Sequence, residues 1–183
     1  AGADAYLSKP IHLRTLLAHV QSILRTRQAE AAREIDLLRE FPRSPQTAVA
    51  AQWLGMMPLQ ESLPDYFNEM VQHYGELLDM ALEQRLYKVN YQLSESLRAL
   101  GDQLGFLKAG PRDVVQIHHA ALQVKAANVT VSKSRAYLEE GRLLVLELMG
   151  YLVTYYRSYT LSIRGRNASS GRKNEAKQGE PHE

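Results

Sequence analysis

The run from Leu143 to Val153 constrains this chain more than any other stretch. Only Glu147 and Gly150 interrupt its apolar character. A helix that is apolar nearly all round must be covered on several sides. The run is too short to span a bilayer, which takes ~20 residues. It reads as the central helix of an all-α fold, packed by its own chain on one side and by a second subunit on the other. Ser132 is placed to cap it. The helix is expected to pass through Tyr155, Tyr156 and Tyr159 and to stop near Gly165. A buried Glu147 needs a partner, from His118, Arg142 or a tyrosine hydroxyl. His118 and Glu147 are the expected structural polar pair.

Three further helices precede it. Ser62-Leu63-Pro64-Asp65 is a helix start, with a capping serine, an early proline and a first-turn acid. Phe67, Met70, Val71, Tyr74, Leu77, Leu78, Ala81 and Leu82 then recur at helical spacing. A second helix is expected from about Leu86, joined to the first by a bend around Gln84. Its stripe is Val89, Asn90, Leu93, Leu97, Leu100 and Leu104, and Gly101 and Gly105 mark its end. Gly110-Pro111-Arg112-Asp113 opens a third, with Val114, Ile117, His118, Ala121 and Leu122 on one face and Val124 extending it. Lys125 to Val131 follows as a loop. Residues 62–163 therefore predict a four-helix bundle. The excess apolar surface of its last helix predicts a homodimer, because isologous two-fold pairing is the commonest way to cover such a face.

The ends differ from the centre. Ala1 to Pro10 reads as a turn, a short strand and a Lys-Pro step. Leu13, Leu16, Leu17, Val20, Ile23 and Leu24 then share one helical face, and the helical pattern continues to Glu40. Phe41-Pro42-Arg43-Ser44-Pro45 breaks it, and Trp53 is expected to dock the following linker on the bundle. Residues 164–183 hold little that can be buried and read as a disordered, basic tail.

Bulk properties bound the function. The 183 residues are 45% hydrophobic and 23% charged, with no cysteine and a net charge of +2. Such a chain supports one globular domain plus a fragment, without disulfide or thiolate chemistry. Its charge is too small to argue for nucleic acid. Neither a signal peptide nor a membrane span is visible, so the expected compartment is the cytoplasm. The chain begins at Ala1 rather than Met and reads as cut from a longer protein. It carries no phosphate-cradling glycine loop, no nucleophile elbow and no paired Glu-x-x-His. Neither an enzyme activity, a cofactor nor a metal is therefore expected. His119 keeps one alternative open, a histidine phosphotransfer domain, although His119-Ala120-Ala121-Leu122-Gln123 lacks the small residue and Lys-Gly step of that pattern.

Two resemblances sharpen this reading. Gly2-Ala3, Tyr6 and Lys9-Pro10, followed by the Leu13–Leu24 helix, resemble the last strand and helix of a response-regulator receiver domain. The resemblance covers residues 1–26. It implies that Lys9 is the phosphoryl-contacting lysine, Tyr6 the switch aromatic, and Lys9-Pro10 a cis peptide. The acidic pocket and phospho-accepting aspartate of a receiver are not in this chain, so Lys9 has no phosphoryl group to hold here. The missing part of the receiver would take its signal from an upstream histidine kinase, and the remnant and a helical linker (27–61) would pass it to the bundle. Gly110-Pro111-Arg112-Asp113-Val114-Val115-Gln116-Ile117-His118, with Leu143 to Arg157, is similar to the N-terminal domain of RsbU-type phosphatases and to the C-terminal domain of KaiA. That resemblance implies a dimeric, non-catalytic domain that binds a switch kinase or a KaiC-like ATPase. Leu148, Tyr151, Tyr155, Tyr156, Arg157 and Tyr159 are the expected dimer or partner contacts. Neither a specific nucleic acid nor a membrane is expected as a partner.

Overall fold

The computed structural model describes residues 6, 9, 12–40, 57–127 and 129–177, with burial described as far as Leu161. Among the described residues every regular element is helical. In chain order they are α1 (Leu13–Glu40), α2 (Leu59–Ser62), α3 (Pro64–Tyr87), α4 (Leu93–Phe106), α5 (Pro111–Ala126) and α6 (Val131–Lys177). Helix α6 is the hub and packs against α1, α3, α4 and α5.

The core is built from one stripe per helix. Tyr74, Leu77 and Leu78 come from α3, and Leu97, Leu100 and Leu104 from α4. Val114, Ile117 and Leu122 come from α5, and Leu144, Leu148 and Leu152 from α6. The periodicity located these faces; the boundaries shift for local reasons. Ser62 does not cap α3. It ends α2, where its hydroxyl donates to the Pro58 carbonyl, and Leu63 is the N-cap before Pro64. Helix α3 runs past Gln84 to Tyr87 and stops where Lys88 turns left-handed. Helix α4 therefore begins at Leu93, with Val89 left exposed.

Gly101 and Gly105 lie inside α4 rather than beyond it. A Cβ on Gly101 would stand 2.8 Å from the Tyr151 Cβ, and one on Gly105 would stand 2.2 Å from the Tyr155 ring. The two glycines let α4 and α6 approach closely, and the α6 tyrosines fill the space. Helix α4 ends instead at Leu107–Ala109. Lys108 adopts a left-handed φ of 58°. The Ala109 N–H returns to the Leu104 carbonyl and the Lys108 N–H to that of Gly105, the paired bonds of a Schellman stop.

Helix α6 starts at Val131, one residue before the expected cap, and Thr130 Oγ1 accepts from the Lys133 N–H. It continues beyond Gly165 to Lys177, where a disordered tail was expected. No proline lies between Ser132 and Lys177 to forbid the helix; Arg, Lys, Glu and Ala favour it there, against the weaker formers Gly165, Asn167 and Gly171. Helix α1 is continuous from Leu13 to Glu40, as its pattern predicts. Its second half docks: Ala31 is buried, Ile35 and Leu38 pack against the core, and Glu34 receives both Arg142 Nε and Nη2 at 2.7 and 2.6 Å. Its first half leaves Leu13, Leu17, Val20 and Leu24 exposed. Tyr6 has no regular structure and Lys9 sits in a bend, both exposed. The rest of the expected strand, Pro10 and Trp53 lie outside the described residues.

Candidate functional site

The His118 ring is buried, 2% exposed on α5. Its Nδ1 lies 2.8 Å from the Tyr74 hydroxyl, which is 3.4 Å from the Gly141 carbonyl. A hydroxyl holds one proton. Both contacts are used together when Nδ1–H donates to Tyr74 and Tyr74 donates to Gly141. The rings meet edge to face. Gly141 makes room: a Cβ there would stand 2.9 Å from His118 Cε1. Burial, aided by the neighbouring His119, lowers the His118 pKa to about 4, so the ring is neutral at pH 7. Burial also raises the Tyr74 hydroxyl. This node joins α3, α5 and α6 and has no free face for a substrate.

The expected His118–Glu147 pair is thus divided. His118 takes Tyr74, and half-buried Glu147 accepts from the Tyr151 hydroxyl at 3.0 Å, one turn along its own helix. The signal missed in the sequence was Tyr74, on the α3 stripe and spaced to face the third helix. A second polar set joins α3, α5 and α6 elsewhere. Asp79 accepts from Lys125 and from the Tyr137 hydroxyl; burial and then that bond push Tyr137 up to about 12. Arg85 bridges Glu139 and Glu140.

The expected interface residues fall into two groups. Leu148 is fully buried in its own chain and cannot form a dimer surface. Tyr151, Tyr155 and Tyr156 are half-buried against that chain too: Tyr151 and Tyr155 against the α4 glycines, and Tyr156 donating to the Ala109 carbonyl at 3.0 Å. Burial and the nearby Tyr155 and Asp113 raise the Tyr156 hydroxyl. Only Arg157 and Tyr159 stand on the surface. The apolar excess of α6 lies on another face, where Leu143, Leu146 and Val153 are 64%, 68% and 54% exposed. Gly150 sits among them in open space, and a Cβ added there would meet nothing within 4 Å. The positions 143, 146, 150 and 153 alternate three and four apart, the spacing of a coiled-coil seam. The sequence showed that α6 was apolar all round; only the packing shows which side the described residues leave uncovered.

His119 is half-buried beside Arg39 of α1, Gln60 of α2, and Gln116 and Gln123 of its own helix, lining a cleft of about 200 Å³. Among the described residues no group of three His, Cys, Asp or Glu side chains is placed to hold a metal ion. No described helix is long and apolar enough to cross a membrane. No protein-family model, no curated protein and no solved structure matches this chain.

Proposed function

We propose that the chain is a non-enzymatic signalling module. On this reading it is a response-regulator piece whose dimeric four-helix bundle binds and regulates a partner kinase or KaiC-like ATPase. The observation that carries it is the exposed Leu143, Leu146, Gly150 and Val153 stripe on a helix whose opposite face forms the core. Apolar surface of that shape, at seam spacing, is suited to a second copy of itself. The resemblance at residues 110–118 supports the partner class, and that at residues 1–26 supports the two-component setting. Helix α1 supplies a route between them, because its second half is clasped to α6 through Glu34 and Arg142. In the phosphotransfer alternative His119 would need an open face; its half-burial under α1 and α2 argues against that chemistry.

The test is the mass in solution. Light scattering behind size exclusion is expected to give a dimer for the full chain and a folded monomer for Leu146→Arg. Gly150→Ala discriminates further. In a monomer an exposed mid-helix glycine replaced by alanine gains about 1 kcal/mol. In a dimer whose backbones close at Gly150 the added methyl weakens association instead. A wild-type monomer at every concentration, with Gly150→Ala simply more stable, would sink the dimer.

A further inference from the structure

One surface cleft is apolar, open and away from the α6 seam. It lies between the first half of α3 and the end of α4, with a volume of about 410 Å³. Met70 forms its buried floor and Leu107 is half-buried beside it. Tyr66 and Phe106 stand at its walls, 50% and 79% exposed. Few buried contacts explain an aromatic ring as exposed as that of Phe106. Exposed apolar surface rimmed by polar groups is a mark of an interaction site, and aromatic side chains are favoured anchors there.

The rim decides what fits. Glu69 closes it from α3 and Asp102 from α4. Neither carboxylate is paired with a described residue, unlike the acids at Glu34, Asp79, Glu139 and Glu140. Asp65 is exposed one turn before Glu69, so like charges repel along this face. Gln103 is the remaining polar lining residue, and among the described residues no basic side chain lines the cleft. An acidic rim repels phosphates, which removes nucleic acid and anionic lipid as occupants. It attracts a cation beside an apolar group.

We propose that this cleft is the partner-binding site, and that its occupant is a basic peptide segment presenting one bulky apolar side chain between lysines or arginines. The apolar side chain enters over Met70 between Tyr66 and Phe106, and the flanking cations reach Glu69 and Asp102. The inference rests on reading the chain as a partner-binding module and adds the location and chemistry of the contact. It leaves the α6 seam free, so a dimer would carry two such clefts.

The test uses the full chain and short fluorescein-labelled helical peptides read by polarisation. One peptide carries a leucine flanked by lysines at helical spacing; one has the lysines replaced by glutamate; one has the leucine replaced by serine. The first is expected to bind most tightly, to weaken with added salt, and to lose at least about tenfold in affinity, or about 1.4 kcal/mol, on Glu69→Lys with Asp102→Lys. Phe106→Ser should weaken it similarly. All three positions are exposed, so circular dichroism and dimer mass should be unchanged. The glutamate peptide should prefer the charge-reversed variant. Equal binding of the basic and acidic peptides, or unchanged binding to the charge-reversed variant, would overturn the cleft. Panning a random peptide display library on the chain separates the two levels of inference. Enriched peptides indifferent to Glu69→Lys with Asp102→Lys would remove the cleft but keep a partner-binding module; no enrichment of any class would remove both.

Discussion

Asp113 shows how much one side chain can organise. It is 7% exposed. Its Oδ2 accepts the Gly110 N–H at 2.7 Å and so caps α5, while Oδ1 accepts the Leu59 N–H at 2.7 Å and ties α2 to that helix. Such bonds to a charged acceptor each contribute about 1.5–3 kcal/mol. Asp113→Ala is therefore expected to cost about 3 kcal/mol by urea denaturation, and Asp113→Asn, which retains one acceptor oxygen, about half as much. His118 carries the pH dependence. Its folded pKa is near 4 and its unfolded value is ~6.5, so the unfolded chain binds the extra proton between those values. The groups around the ring are Tyr74 on α3, His119 on α5 and the Gly141 carbonyl on α6; none is a carboxylate that would hold the protonated form. Stability contributed by neutral His118 is complete above pH ~6.5 and is lost as the pH falls toward 4, by up to about 3 kcal/mol. Denaturation midpoints from pH 7 to pH 4 should show that slope, and His118→Asn should flatten it.

At the scale of elements, the glycines of α4 decide how it meets α6. On propensity alone, glycine to alanine in a helix gains about 1 kcal/mol. At Gly105 the new methyl would collide with the Tyr155 ring, and overpacking costs about 1–3 kcal/mol. Gly105→Ala is expected to lower the melting temperature. The double variant Gly105→Ala with Tyr155→Ala should recover part of the loss, because the clash and its partner go together. At Gly75 the methyl meets only the flexible end of Lys125, so Gly75→Ala should be neutral or stabilising. The same substitution thus changes sign between two buried glycines according to whether the neighbour can move.

For the whole molecule, the arrangement couples an arm to a body. Helix α1 is held at its second half by Ala31, Ile35 and Leu38 and by the Glu34–Arg142 fork. The fork is partly exposed, 31% on the glutamate and 61% on the arginine, and such pairs contribute about 0–1 kcal/mol. Arg142→Glu should leave global unfolding nearly unchanged and yet raise hydrogen exchange in residues 27–40, where few buried contacts remain. The swap Glu34→Arg with Arg142→Glu should restore protection. Loss of global stability in place of local release would mean that α1 is part of the core and not an arm.

The sequence by itself determined the helical class, the core faces of α3, α4 and α5, the continuity of α1 and the opening of α5 at Pro111. Periodicity and proline act locally, through spacing and a fixed φ, so they are legible without the fold. The same local signals misplaced the glycines of α4 and the start of α4 at Leu93. Glycine can end a helix or let another helix approach, and only the presence of Tyr151 and Tyr155 across the gap selects between these. The continuous apolar run of α6 concealed its own orientation, because nothing in a uniform stripe says which side a neighbour will cover. Tertiary packing placed Leu148 inside, left Leu143, Leu146 and Val153 outside, joined His118 to Tyr74 instead of Glu147, and brought Tyr66 and Phe106 together around a cleft. Each of these depends on residues far apart in the chain, and is set by which helices meet.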